Sequence, residues 1–248
     1  MTFAIEFLGK IVLANVRPLL TRPRYTRRVI LSGTSPYQSR MQLRSLDLEI
    51  LSFEESLPDE LQLNDNRLMI MCHSDEARAY IMLHTLVLSS RCDLHRFLIA
   101  GIRESVSPEA MNQTPREYMD YCQQRCLQTA LKYIDMWSTI RQMETNSRVG
   151  TPTSAVVTYQ VVKIIDHLAG LLPLHGDTSL SVIKQRLVDI LLVVSGGRAG
   201  VGWTRSCVSS HSRCWKNEAD IVSAHRYRES YTTIGNKTYI ARFTVSHP

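Results

Sequence analysis

Between residues 77 and 194 apolar side chains recur every three or four positions, a period that fits amphipathic helices and little else. Tyr80, Leu83, Val87, Leu94 and Leu98 form one such line, widened by Leu86, Leu88 and Phe97. It follows Ser74, Asp75 and Glu76, residues suited to a helix start, and Gly101 is placed to stop it. The run Thr114-Pro115-Arg116-Glu117 reads as a capping box opening a helix through Tyr118, Cys122, Cys126, Ala130, Tyr133 and Trp137. Thr151-Pro152 opens the next, through Val156, Tyr159, Val162, Ile165 and Leu168 to Gly170. Ser179 opens another, through Ile183, Leu187, Ile190 and Val194 to Gly196-Gly197.

Two weaker helices precede these. Residues 3–16 space Ile5, Leu8, Val12 and Val16 helically, and residues 40–53 do so through Met41, Leu43, Leu46, Leu48, Leu51 and Phe53, with Leu57-Pro58 as the break. Glu6 and Lys10 interrupt the first, so neither a signal peptide nor a membrane span is expected. The expectation is an all-α fold, an irregular bundle of several helices over residues 1–194, with a basic linker at 18–38 inside it. Beyond residue 194 the period is lost. Residues 195–248 read as an irregular, loosely attached tail in which Tyr231-Thr232-Thr233 and Thr238-Tyr239-Ile240 suit a two-residue β-hairpin.

Charge is distributed in blocks. Residues 1–44 hold eight bases against Glu6, residues 45–66 hold seven acids and no base, and residues 195–248 hold eight bases against three acids. The net charge of +6 thus belongs to the ends, and the body offers no broad nucleic-acid face. The run Arg22-Pro23-Arg24-Tyr25-Thr26-Arg27-Arg28 is the candidate for phosphate contact or nuclear import through Arg22, Arg24, Arg27 and Arg28. A solvated linker is the plainer reading, and the acidic block could pair with the run inside the fold.

The six cysteines are irregularly spaced and read as free thiols in a reducing compartment. Cys92 and His95 share one helical face, as do Cys122 and Cys126, so the four are weak candidates for a tetrahedral zinc; buried core residues are the plainer reading and no metal is expected. Cys72 with His73 and His84 could seed a thiol hydrolase, but no nucleophile signature surrounds any cysteine. A Gly-x-Ser-x-Gly elbow and a phosphate loop are absent, and Gly197-Arg198-Ala199-Gly200-Val201-Gly202 lacks the dinucleotide order. No active site is read.

Two segments carry a resemblance. Ser45-Leu46-Asp47, leading through Phe53-Glu54-Glu55-Ser56-Leu57-Pro58-Asp59-Glu60-Leu61-Gln62-Leu63, and Cys92-Asp93-Leu94-His95-Arg96-Phe97-Leu98-Ile99, running on to Gly101-Ile102-Arg103-Glu104-Ser105-Val106-Ser107, are similar to the regulatory, or middle homology, region of fungal zinc-cluster transcription factors. Leu8-Gly9-Lys10-Ile11 and Thr158-Tyr159-Gln160 fit as well, so the resemblance spans about residues 1–194. Tyrosine often stands in the family where this chain has His95, and tryptophan where it has Phe53. The six-cysteine cluster that holds two zinc ions is absent, so zinc would enter only with that module, and DNA contact would be indirect.

The resemblance implies a non-enzymatic, nuclear effector domain that modulates gene expression through other transcription proteins, a second copy of itself or a small ligand between helices. The alternatives are a helical enzyme using cysteine or histidine, and a truncated chain without activity of its own. A six-cysteine reading frame just ahead of Met1 would speak for the last.

Overall fold

A computed structural model describes residues 36–102, 104–143, 150–172, 179–194, 231–234 and 237–240. The chain divides into two compact units, Met1–Ala199 and Gly200–Pro248. The described part of the first is all-α: α1 (Arg40–Glu55), α2 (Asp65–Cys72), α3 (Ala77–His95), α4 (Pro108–Asn112), α5 (Arg116–Gln142), α6 (Pro152–His167) and α7 (Leu180–Val194), with 3₁₀ turns at Asp59–Leu61, Arg96–Leu98 and Ala169–Leu171. In the second unit the described residues are two antiparallel strands, β1 (Tyr231–Ile234) and β2 (Lys237–Ile240), pairing Tyr231 with Ile240 and Ile234 with Lys237. The 3–16 helix, most of the 18–38 linker with Arg22, Arg24, Arg27 and Arg28, and Cys207 and Cys214 lie outside the described residues.

The longest helix, α5, packs against α3, α7, α6 and α2, and α1 lies on α3. Trp137, Tyr133, Ile134, Cys122, Cys126 and Ala130 of α5 are fully buried and meet Tyr80, Leu83, Leu94, Phe97 and Leu98 from the α3 segment in the core. Each large side chain so buried contributes about 1.5–3 kcal/mol. The Tyr133 hydroxyl donates to the Ser154 carbonyl at 3.1 Å and lies 2.7 Å from Thr158 Oγ1, which joins α5 to α6 without leaving the phenol unpaired. Across α5 and α7, Arg186 reaches Asp135 at 2.6 Å and Ser138 at 2.9 Å, and Arg141 pairs with Asp189.

Several local expectations need correction. Thr114 does not cap α5: Pro115 takes that position, and the Thr114 hydroxyl donates back to the Ala110 carbonyl at 2.8 Å, closing the short α4. Thr151 does cap α6, accepting from the Ser154 N–H at 3.1 Å. The buried line of α1 is Leu43, Leu46, Asp47, Ile50 and Phe53, while Met41, Leu48 and Leu51 face outward. On α6 and just past its end, Val162, Ile165 and Leu168 are buried as expected, joined by Val157, Val161 and Ile164, while Val156 is exposed. Helix α3 ends at His95 rather than near Gly101, because the chain tightens to a 3₁₀ turn; Gly101 then turns the backbone at φ +84°, and a Cβ there would lie 2.9 Å from the His167 ring.

Candidate functional site

Side chains from Arg91 through Ile99 are all buried, although Arg91, Asp93, His95 and Arg96 are polar. Ion pairs within the segment and with α1, α5 and Glu104 offset part of the cost, while Arg91 Nε and Nη2 and Arg96 Nε are left without a hydrogen-bond partner. Arg91 forms an ion pair with Glu54 at 2.6 Å and lies 3.7 Å from Asp47; Arg125 donates to Asp47 at 2.9 Å; and the His95 ring stands 3.9 Å from the same carboxylate, beyond hydrogen-bonding distance. Arg96 holds Asp93 at 2.9 Å, with Glu104 at 3.7 Å. Burial would push the Asp47 carboxyl up, but His95 and Arg125 outweigh it and hold the group well below the usual carboxylate range. The Glu54 carboxyl moves the other way, raised by burial that Arg91 and Lys132 only partly offset.

The weak zinc candidates divide between two surroundings. His95 turns to Asp47 and to the edge of Tyr121, 6.0 Å away between ring centres. The Cys126 thiol points to the Cys92 carbonyl at 3.9 Å, and Cys122 lies beside Tyr118. Among the described residues no three His, Cys, Asp or Glu side chains gather where one metal ion could sit. Burial pushes the thiols of Cys72 and Cys126 up and that of Cys122 to about 12, which disfavours the thiolate that nucleophilic chemistry needs. Of the Cys72, His73 and His84 trio, the two histidines separate. His73 is exposed and sits 2.8 Å from the Met69 carbonyl, whereas His84 is buried and donates through Nε2 to the Leu61 carbonyl at 2.9 Å.

That last bond builds a cleft. Leu57-Pro58 ends α1, and the following loop crosses α3, where Tyr80 donates to the Gln62 carbonyl at 2.8 Å and His84 to that of Leu61. The Tyr80 and His84 rings meet edge to face at 4.6 Å. Between this loop, α1, α2, α3 and α5 lies an open cleft of about 500 Å³. Its floor is apolar, with Leu57, Leu68, Leu88 and Met136 buried, and its rim carries Glu54, Glu55, Asp65 and Asp135 against Lys132. A smaller hollow of about 330 Å³ between α5 and α7 is lined by Arg141, Arg186 and Asp189, side chains already engaged in the bridges that join those helices.

The cleft had no sequence signal beyond the acidic block, because Lys132, Asp135 and Met136 come from α5, far along the chain. No helix among the described residues is long and apolar enough to cross a membrane. Compared with protein-family models, with curated proteins and with solved structures, the chain matches none.

Proposed function

We propose that this chain is the effector domain of a transcription regulator of the fungal zinc-cluster type, acting in the nucleus through protein contacts or a small ligand bound between helices, with no chemistry of its own. The observation that supports this is that the two segments carrying the resemblance meet. Asp47 and Glu54 of the first close on Arg91, the residue just ahead of the second, and the Asp47 carboxylate stands 3.9 Å from the ring of His95 within it. Residues 92–99 of the second segment are core, so their mixed chemistry serves packing and ion pairing. Such a body transmits a signal by shifting between helix arrangements, and a partner biases it by binding one arrangement better than another. DNA is read by another module, and other transcription proteins or a second copy of the chain are the partners.

Tethering tests the proposal. The full chain, fused to an unrelated DNA-binding module, should change transcription from a reporter bearing that module's site several-fold relative to the module alone. Unchanged output from a fusion that is folded and nuclear would overturn it.

A further inference from the structure

Helix α1 spends one face on the core and leaves the opposite face unpartnered. At 3.6 residues per turn, Met41, Ser45, Leu48, Ser52 and Glu55 fall within about 40° of one line along the helix, with Arg44 and Leu51 beside it on one flank. All seven are exposed, Met41 by 66% and Leu48 by 55%. Single exposed apolar residues are ordinary on a protein surface. Three on one helical face, beside two unpaired ions, are a different case: Arg44 and Glu55 form no salt bridge among the described residues.

The order of these side chains is self-complementary. Let two copies of α1 lie antiparallel about a two-fold axis at Leu48, so that each residue after Leu48 comes level with the one as far before it in the other copy. Leu48 then meets Leu48, Met41 reaches over the small Ser52, and Leu51 rests on the stem of Arg44. The two-fold keeps each flank on its own side, so Arg44 of one copy and Glu55 of the other share a flank. They stand three residues apart along the axis, about 4.5 Å, within the reach of an arginine, and the pair forms twice. A parallel pairing would leave the two about 16.5 Å apart along the axis.

We infer that the outer face of α1 is a self-association surface, on which a second copy of this chain packs its own α1 antiparallel with Leu48 at the two-fold axis. This specifies the second copy named among the partners above and rests on that part of the reading, not on any effect on transcription. One helix face from each copy is a small interface, so the pairing is weak and follows protein concentration.

Sedimentation equilibrium of the full chain through the micromolar range tests this, and a monomer–dimer equilibrium is expected. Leu48→Arg should weaken it about tenfold or more by placing two cations at the axis. Arg44→Glu, which sets acid against acid on each flank, should weaken it about tenfold, and Arg44→Glu with Glu55→Arg should return it to within about threefold of the natural chain. These positions are exposed, so the helical spectrum should not change. A chain that stays monomeric, a dimer indifferent to Leu48→Arg, or a charge exchange that fails to restore pairing would overturn the inference. A short thiol-reactive bismaleimide reads the direction without altering any charge. Leu48→Cys should be joined copy to copy well above the unmodified chain, whereas Met41→Cys, whose two copies lie about 21 Å apart along the axis, should not. Joining at neither position, or equally at both, would overturn it. A chain that fails these tests can still change the reporter, so the two readings fail separately.

Discussion

Burial against Tyr80 and the 57–63 loop pulls the His84 imidazole down from its usual 6.5 to about 4, and the hydrogen bond to Leu61 offsets only part of this. The unfolded chain therefore takes up a proton near pH 6.5 while the folded chain refuses it until about pH 4. This group's contribution is fully present above pH 6.5, is lost as pH falls toward 4, and changes no further below that. The loss amounts to about 3 kcal/mol at roughly 1.4 kcal/mol per unit. Urea denaturation at several pH values should show it, and His84→Gln should flatten the slope in that window. The arginines on Asp47 should differ. Arg91 is buried and serves two carboxylates, so Arg91→Ala strands buried charge and should cost about 3 kcal/mol. Arg125 has a side chain 39% exposed, so Arg125→Ala should cost about 1 kcal/mol or less by the same denaturation measurement.

At the scale of elements, the long helices were legible because each has a sustained apolar line and a plain start or stop. Ile183, Leu187, Ile190 and Val194 of α7 are buried as their period requires. Helices α2 and α4 were not legible. Only Leu68 and Cys72 of α2 are buried, and no residue of α4 is, so neither writes a period into the sequence. The Asn64 side chain, which accepts from the Arg67 N–H at 2.9 Å, was the one readable mark of α2. The ion network was also hidden. Asp47 sits within an apolar line on α1 and finds its partners on α3 and α5, and no local spacing announces that meeting. Close approach of elements gives a further prediction. A Cβ on Gly150 would lie 2.7 Å from the Cα and carbonyl oxygen of Val194, backbone atoms that cannot move aside cheaply. Gly150→Ala should force the start of α6 away from the end of α7 and lower stability by about 1–3 kcal/mol, which a melting curve will record.

The all-α body follows from its helical period, and among the described residues its contacts run among α1 to α7. A chain ending after Val194 should accordingly keep its helical spectrum and most of its stability. A drop in melting midpoint beyond about 8 °C would place the remaining residues within the fold, since one or two kcal/mol does less at this size. On the proposed function the folded helical body, rather than any reactive cysteine or histidine, carries the activity. The tethered reporter tests it most directly when read alongside melting curves for Arg91→Ala, Arg125→Ala, Cys122→Ser, Cys126→Ser and His73→Ala. Output should follow the folded fraction, falling with Arg91→Ala and holding wherever the melting curve is intact. A cysteine or histidine substitution that abolishes output while leaving the melting curve unchanged would contradict the claim.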